Sequence, residues 1–593
     1  MKYITFFCCL FYLLTLDEQY SQGQNWLWGK QGSSSLNTGT YYSPITTDKY
    51  GNAYVTGTFN NTAVFGPDTL NGNAVNAYLA KFNSTGKLVW VKQAVNANNA
   101  YTISESVTTD NNGNVYIVGN ITGKAAFGKD TIGNSYGYSV FLVKYDRDGN
   151  VLWARQSGIT SNSSVHNCSV ATDNLGNAFI TGSFDTTTTF GARVLTNTSI
   201  ISSNMFLVKY SASGNVQWAR QSTGTGLDNN YNYPFSIATD VSGSVYVTSD
   251  FGNSIKFDTV TLHSNRYYSV YLIKYSSQGV MLWARQSVNT NFNQYGSGHS
   301  LGYGYSVTSD QAGNSYITGT FQDSISFGKH PLSSPGGYSV FFVKYDVHGN
   351  VVWAQQSSQG WAGTGLAADG YNNIYISGQI VYYYLNSGAL DFGGLKLNAP
   401  RDSNTASFII KFNTDGTPYC GAILENVGEN GENTGVAADL TGSYIYMGAI
   451  FYNKEVICGP DTIVSQGGGT NLLIARWNPC DSSKVVTPPP PPPPVVVVQN
   501  ESEPCNVFVP TAFSPNQSIN NMLYVRSDCI ASMDFLVFDR WANKVFETQG
   551  QNQGWDGTYA GSPMNMGTYV WYLKATLSDG TNVEKKGNVT LVR

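Results

Sequence analysis

Ser106-Val107-Thr108-Thr109-Asp110-Asn111-Asn112-Gly113-Asn114-Val115-Tyr116-Ile117-Val118-Gly119 is the stretch that decides the fold. Two runs rich in β-branched and aromatic residues flank an Asp/Asn/Gly turn, which reads as a hairpin. Aspartate suits the opening of such a turn because its carboxylate accepts backbone N–H bonds from two residues ahead. Glycine accepts the positive φ that the turn needs. The phrase returns along the chain with its aspartate at Asp48, Asp173, Asp240, Asp310, Asp369 and Asp439, at intervals of 59 to 70 residues. Self-similarity at a sustained period marks a repeat architecture.

Each unit adds a second hairpin to the first. In the second unit Val140-Phe141-Leu142-Val143-Lys144-Tyr145 follows a loop. It then passes through Asp146-Arg147-Asp148-Gly149-Asn150 into Val151-Leu152-Trp153-Ala154-Arg155-Gln156. That makes four strands per unit and no helical period. The third strand ends in a cation–aromatic pair in all seven units: Lys81-Phe82, Lys144-Tyr145, Lys209-Tyr210, Lys274-Tyr275, Lys344-Tyr345, Lys411-Phe412 and Arg476-Trp477. The fourth strand carries Trp90, Trp153, Trp218, Trp283 and Trp353. An aromatic repeated once per unit is read as packing one sheet on the next rather than as a platform for sugars, since large apolar side chains dominate core energetics. The seven aspartates each sit in their own turn a whole repeat apart, so they are read as turn residues and not as metal ligands.

Four antiparallel strands repeated seven times fit an all-β fold, a seven-bladed β-propeller whose radial closure protects the sheet edges. The seventh unit stops at Arg476-Trp477-Asn478-Pro479-Cys480 without a fourth strand, while Trp26-Leu27-Trp28-Gly29-Lys30-Gln31 is a fourth strand without a unit. The expectation is that this N-terminal strand completes the last sheet and closes the ring. The phrases of D-x-x-G-N-x-Y-x-x-G type and W-A-R-Q resemble the bacterial β-propeller repeats called SBBP over about residues 25–480. That resemblance implies the fold and says little of activity, because propellers host many functions.

The ends of the chain read as addresses. Lys2 and the apolar run Ile4 to Leu16, followed by Ser21 and Gly23, read as a signal peptide over residues 1–23, cleaved before Gln24. The run is too short to span a bilayer, and no other run approaches that length, so no transmembrane segment is expected. The propeller is placed at 24–481 and a Pro-rich linker at 482–504. Within that linker Pro488 to Pro494 form a stiff polyproline II spacer. Residues 505–593 are enough for a small Ig-like β-sandwich. Phe508-Val509-Pro510-Thr511-Ala512-Phe513-Ser514-Pro515-Asn516 opens that segment. Asp539, Arg540, Trp541 and Asn543, then Gly554-Trp555-Asp556-Gly557, continue it. These residues resemble the gliding-motility-associated C-terminal domain, the type B sorting domain of Bacteroidetes type IX secretion. Gln517-Ser518-Ile519-Asn520-Asn521 replaces the family's acidic loop, and Ala542 stands where the family has glycine. The resemblance implies the type IX secretion machinery as partner and an address that is secreted or on the outer cell surface.

Only 12% of the 593 residues are charged and the net charge is −5, so the basic face that nucleic acid requires is absent. Five histidines fall at unrelated repeat positions, and no nucleophile elbow, paired-histidine zinc motif or phosphate loop is present. The reading is a non-catalytic propeller without cofactor or metal, which binds or adheres to extracellular polysaccharide or another surface protein. Alternatives are a carbohydrate-active enzyme (glycosidase or lyase), with a carboxylate pair across the channel, and a passive envelope scaffold. An exported chain favours disulfides: Cys505 with Cys529, and Cys420 with Cys458, both of which stand where the repeat otherwise places an aromatic. Cys480 is an alternative partner for either of the latter two, and Cys168 is expected to be a buried free thiol. Thr69, Thr131, Thr259, Ser324 and Thr462 follow aspartate and precede an aliphatic residue, which resembles Bacteroidetes O-glycosylation sites. Plain turn chemistry is the competing reading.

Overall fold

The computed structural model describes residues 26–479 and 509–592 apart from loop segments, the longest of them 225–235 and 290–301. The signal-peptide segment, the Pro-rich linker, Cys480, Cys505 and Cys529 lie outside the described residues. Contacts divide the chain into two units, 1–486 and 487–593.

In the large unit every repeat is an antiparallel sheet. For the second repeat its strands are Tyr101–Thr109, Val115–Phe127, Asp130–Tyr145 and Val151–Gln156. The second and third strands continue where a loop was expected, pairing as far as Phe127 opposite Asp130 across an irregularity between Ile121 and Gly123. The extension exists because it buries apolar side chains at every second position, Ala125 and Phe127, and turns at Gly128 with φ of 55°. A tail after each fourth strand pairs with the next repeat's extension, at Val95–Ala126, Gly158–Thr189, Ser222–Phe257, Ser287–Phe327 and Ser357–Phe392. Backbone hydrogen bonds thus join repeats one to six in series.

The N-terminal strand Trp26–Leu36 pairs on one side with Thr470–Trp477 of the seventh repeat, and at Gly32–Phe65 with the extension of the first. These are the two pairings a fourth strand makes elsewhere. Trp28 also behaves as its counterparts do. Its indole N–H donates to Ser84 O at 3.1 Å, as Trp153 donates to Ala212 O at 3.0 Å and Trp218 to Ser277 O at 3.1 Å. The first strands of all seven repeats line one channel, a cavity of about 380 Å³.

The cores lie between repeats rather than within them. Tyr116, Val118, Leu142 and Trp153 of the second repeat pack with Cys168, Ile180 and Phe206 of the third. Each such side chain contributes roughly 1.5–3 kcal/mol by leaving water, so a repeat is stable only against its neighbours.

In the C-terminal unit, Ala512–Phe513 runs parallel to Asn582–Leu591, which pairs with Gly567–Leu577, then Ile530–Phe538, then Lys544–Thr548. Buried and exposed residues alternate along Gly567–Leu577, as in a sheet packed on one face. Phe535, Trp555, Leu573 and Leu591 form its core. The expected sandwich has two sheets. Among the described residues only the ribbon of Thr558–Tyr559 and Ser562–Pro563 stands beside this one sheet.

Candidate functional site

The two ends of each repeat differ in chemistry. At one end lie the Asp turns. Asp110 Oδ1 accepts the N–H groups of Asn112 and Asn114 at 3.0 and 2.9 Å, and Oδ2 accepts Asn114 Nδ2 at 2.9 Å and the Tyr116 hydroxyl at 3.2 Å. Asp48, Asp310 and Asp369 repeat the set. The third-strand lysine completes the arrangement as a buried ion pair, Lys274–Asp240 at 3.0 Å and Lys209–Asp173 at 3.3 Å, and Lys209 Nζ also donates to Ser277 O of the next repeat at 3.1 Å. Trp28, Trp90, Trp153, Trp218, Trp283 and Trp353 each lie on the next repeat's turn glycine. A Cβ on Gly214 would sit 2.9 Å from Trp153, so only glycine fits there. This end is anchorage, as the sequence reading of the aspartates and aromatics had it.

The other end is built from bulges. The first strand is irregular between Ser104 and Ser106, His166 and Ser169, Gly304 and Ser306, and Gly363 and Gly365. A bulge frees one residue from the ladder and re-aims its side chain, and bulges gather beside active sites. Glu105, Cys168, Tyr305 and Thr364 occupy these positions. The nearby second-strand position holds Thr58, Asn120, Ser183, Asp250, Thr320 and Gln379, all buried. On one framework, therefore, the chemistry changes from repeat to repeat.

Two of these constellations contain a buried carboxylate. Glu105 accepts Asn120 Nδ2 at 3.0 Å and the Cys168 backbone N–H at 2.6 Å, tying the second repeat to the third. Burial pushes its carboxyl up to about 7 against the pull of those bonds from Cys168. Burial, with Glu105 beside it, also holds the Cys168 thiol well above its usual range, so it is an inert thiol. Asp250 is different. It is 5% exposed, its Oδ1 has no hydrogen-bond partner among the described residues, and burial pushes it up to about 8. Around it stand Tyr268, Tyr303 and Tyr305, each of whose hydroxyls is pushed up by burial and by the Asp250 charge. The Tyr268 and Tyr303 rings are 5.7 Å apart at 30°, and Tyr303 and Tyr305 6.1 Å apart at 13°. Tyr305 also lines the channel.

Sequence reasoning missed this cluster. The available signal was register: counted from the Asp turn, Asp250 falls where other repeats hold Thr58, Asn120, Ser183 and Thr320, and an acid there is out of pattern.

The remaining sequence candidates are dispersed. Cys458 is a buried free thiol whose Sγ lies 3.4 Å from Trp28 O, so the expected Cys420–Cys458 bridge is corrected. The N-terminal strand stands beside Cys458 and fills the space a partner would need: a Cβ on Gly29 would sit 2.8 Å from Cys458 Cβ. Cys168 is free and buried, as expected. Thr69, Thr131 and Thr462 begin the outer strand of the extension and are exposed, and Thr259 is exposed in the turn itself. Ser324 lies before the turn and is 7% exposed, inaccessible to a glycan. In the C-terminal unit Asp539 caps a turn through Trp541 N, Asn543 N and Asn543 Nδ2, at 2.9, 2.9 and 3.0 Å. Arg540 stacks 4.1 Å above the exposed Trp541 ring. Trp555 is buried and its indole N–H donates to Thr558 O at 2.8 Å. A Cβ on Gly554 would strike Tyr524, Asp556 accepts the Thr558 N–H, and Gly557 takes φ of 77° against Leu591.

Residues 507–591 match the family described as the CHU_C type IX secretion signal domain. The chain carries a type IX secretion signal. It is therefore secreted to the cell surface, and interaction with the secretion machinery follows from the same domain. Residues 89–124 match the SBBP β-propeller repeat, so the cargo carried by this signal is a β-propeller. An uncharacterized WD repeat-containing protein of Acanthamoeba polyphaga mimivirus is 27% identical over 190 residues, 29% of this chain and 13% of that protein's length. Among solved structures, the mitotic checkpoint complex aligns at 8% identity over 81% of this chain and 99% of that one, with a TM-score of 0.37. The extracellular domain assigned to a hybrid two-component system, BT3049, of B. thetaiotaomicron aligns at 13% identity over 93% and 67%, with a TM-score of 0.24. At these scores neither structure lends this chain a function.

Proposed function

We propose that this exported chain is a non-catalytic binding protein: a seven-bladed propeller, closed by its N-terminal strand, that holds an extracellular ligand at the bulge end of its channel. Closure is supported by the position of Trp26–Leu36 and by the Tyr446 hydroxyl. That hydroxyl donates to Gly51 O of the first repeat at 2.6 Å, as Tyr116 donates to Gly176 O at 2.7 Å one repeat on. The observation that carries the binding reading is the contrast between ends. The Asp-turn network recurs from repeat to repeat, whereas Glu105, Cys168, Tyr305 and Thr364 give one position four different chemistries. Variation on a fixed frame is how a repeat protein makes a ligand surface.

The ligand class proposed is extracellular polysaccharide, with another surface protein as the second candidate. Incubating the full chain with a panel of soluble polysaccharides tests this. Retention with unchanged chain length supports binding; depolymerisation overturns it in favour of a glycosidase or lyase; inertness towards every polysaccharide and surface extract favours a passive scaffold. The C-terminal domain serves as the sorting signal. Removing residues 505–593 is expected to leave a folded propeller inside the outer membrane, and its arrival in the medium would overturn that role. Thr69, Thr131, Thr259 and Thr462 remain proposed O-glycan sites, checked by intact mass of the exported protein.

A further inference from the structure

Three departures from the repeat pattern meet at one joint, between the third and fourth repeats at the Asp-turn end. The first is Phe179, which stands where the six other repeats have tyrosine. No hydroxyl therefore spans this joint as the Tyr116 hydroxyl spans its own, donating to Gly176 O at 2.7 Å. The second is Gln217. Every fourth strand has an irregularity just before its tryptophan position, between Val151 and Trp153 in the second repeat. The residue it leaves out of the ladder is apolar in six repeats: Leu27, Val89, Leu152, Leu282, Val352 and Tyr419. In the third repeat it is the polar Gln217. The third departure is Leu175, 79% exposed and the most exposed large apolar side chain among the described residues.

Between the two repeats lies a cleft of about 780 Å³ whose rim includes Leu175, Val241, Gln217 and Gln278, all exposed. Its floor is already satisfied. Lys209 pairs with Asp173 at 3.3 Å, and both Lys209 Nζ and the Trp218 indole N–H donate to Ser277 O at 3.1 Å. A ligand is therefore held by the rim, whose four side chains all reach solvent.

The rim selects the partner. The turns of these repeats, 173–177, 211–215, 240–244 and 276–280, expose no charge, since Asp173 and Asp240 are buried. On the equivalent turns of other repeats Lys49, Arg147, Asp148 and Asp415 stand exposed. An anionic polymer or a lipid phosphate finds no exposed cation here. A sugar ring finds no open aromatic face, because Trp218 is buried and packed on Gly279, where a Cβ would sit 2.7 Å from the ring. What the rim offers is aliphatic surface and primary amides. A primary amide both donates and accepts, which matches the N–H and C=O groups of a peptide backbone. The protein uses glutamine in this way itself. Gln221 accepts Thr196 N–H at 3.0 Å and donates to Thr196 O at 2.9 Å. Gln286 and Gln356 do the same with His263 and Ser333.

We propose that this cleft docks an uncharged polypeptide segment, with an aliphatic side chain against Leu175 and Val241 and the segment's backbone bonded by Gln217 and Gln278. The site lies at the opposite end of the repeats from the ligand surface inferred above and does not depend on it.

The test selects peptides from a displayed library of random dodecapeptides on the full chain, then measures the enriched peptides by calorimetry. Uncharged sequences containing an aliphatic residue are expected. Leu175→Ser should weaken their binding about tenfold. Gln217→Leu, which installs the residue of the second and fourth repeats, should also weaken it about tenfold. Both positions are exposed, and circular dichroism of each variant shows that it is folded. Leu152→Ser, at the matching irregularity of the second repeat, should change nothing. If either Leu175→Ser or Gln217→Leu binds as tightly as the parent, the site is overturned. Enrichment of charged peptides, or of none, overturns it as well. Binding to phosphatidylcholine vesicles or to cellohexaose that Leu175→Ser abolishes would assign the cleft to lipid or sugar and overturn the peptide. None of these outcomes touches the bulge-end polysaccharide reading, because Leu175 and Gln217 do not line the channel.

Discussion

Asp240 and Asp250 flank the same strand of the fourth repeat, one at each end, and meet opposite fates. Burial works against the charge of both. At Asp240 the Ser242 hydroxyl, the Lys274 ammonium and the Ser244 N–H outweigh it and hold the carboxyl below its usual range. At Asp250 nothing outweighs it, and the carboxyl rises to about 8. The first acid belongs to an arrangement that recurs along the repeats, and both of its oxygens are engaged, by the Ser242 and Ser244 N–H groups, the Ser242 and Tyr246 hydroxyls and the Lys274 ammonium. The second keeps an acceptor idle. The difference separates what the fold needs from what it merely tolerates, and tolerated cost is where function is sought.

The sharpest way to break this comparison is to damage the anchoring end. A chain beginning at Ser33 loses Trp28 and its seat on the first repeat. It leaves Thr470–Trp477 as an open edge, a route to aggregation. Loss of cooperative melting and soluble yield is expected; melting like the full chain would defeat closure. Next in size, Asp240→Ala strands Lys274 as a buried, unpaired ammonium and should cost roughly 3–5 kcal/mol in denaturant unfolding.

Asp250→Asn should act the other way. A folded carboxyl pKa raised to about 8 means that the fold binds the proton more tightly than the unfolded chain does. The associated stability is fully present below the ordinary carboxylate range and is lost as pH rises through about 8. Asp240, held low, contributes in the opposite sense, present above that range and lost in acid. The ligand-free protein should therefore melt higher at pH 6 than at pH 8.5. Asp250→Asn should gain roughly 1–3 kcal/mol at pH 8 and flatten that slope. Some slope persists, because Glu105 titrates near 7. A variant less stable than its parent at pH 8 would show that Asp250 has a structural partner.

Legibility in the sequence divides along the same line. Asp110, Lys144, Trp153 and Gly214 were readable because each recurs at a fixed register, and recurrence reports the turn, ion pair and stacking that every repeat needs. The outer extension was misread as a loop because Thr122 to Lys124 break the apolar alternation at its irregularity, leaving only Ala125 and Phe127 to mark the strand. Asp250 and its tyrosines were invisible for the opposite reason: they occur once, on two strands of adjacent repeats and, for Tyr268, in the residue before a third strand, far apart in sequence. The Cys420–Cys458 bridge failed because both cysteines replace an aromatic, but the N-terminal strand already occupies the space at Cys458.

The smallest effect tests whether recurrence really tracks need. At the position of Tyr54, Tyr116, Tyr246, Tyr316, Tyr375 and Tyr446 the third repeat has Phe179. The single hydroxyl hydrogen of Tyr246 lies within reach of two acceptors, Asp240 Oδ2 at 3.1 Å and Gly313 O at 2.9 Å, so Phe179 withholds that one shared donor from Asp173 and Gly243. Lys209 remains over the Phe179 ring at 4.8 Å and paired with Asp173, which is why the repeat holds without the hydroxyl. Phe179→Tyr adds one oxygen where six other repeats accommodate it. Worth roughly 0.5–1.5 kcal/mol as a net hydrogen bond, it should raise the denaturant midpoint slightly without changing the slope of the transition. A loss of stability would mean that this corner has repacked around phenylalanine, and that the turn network is set repeat by repeat rather than by a common template.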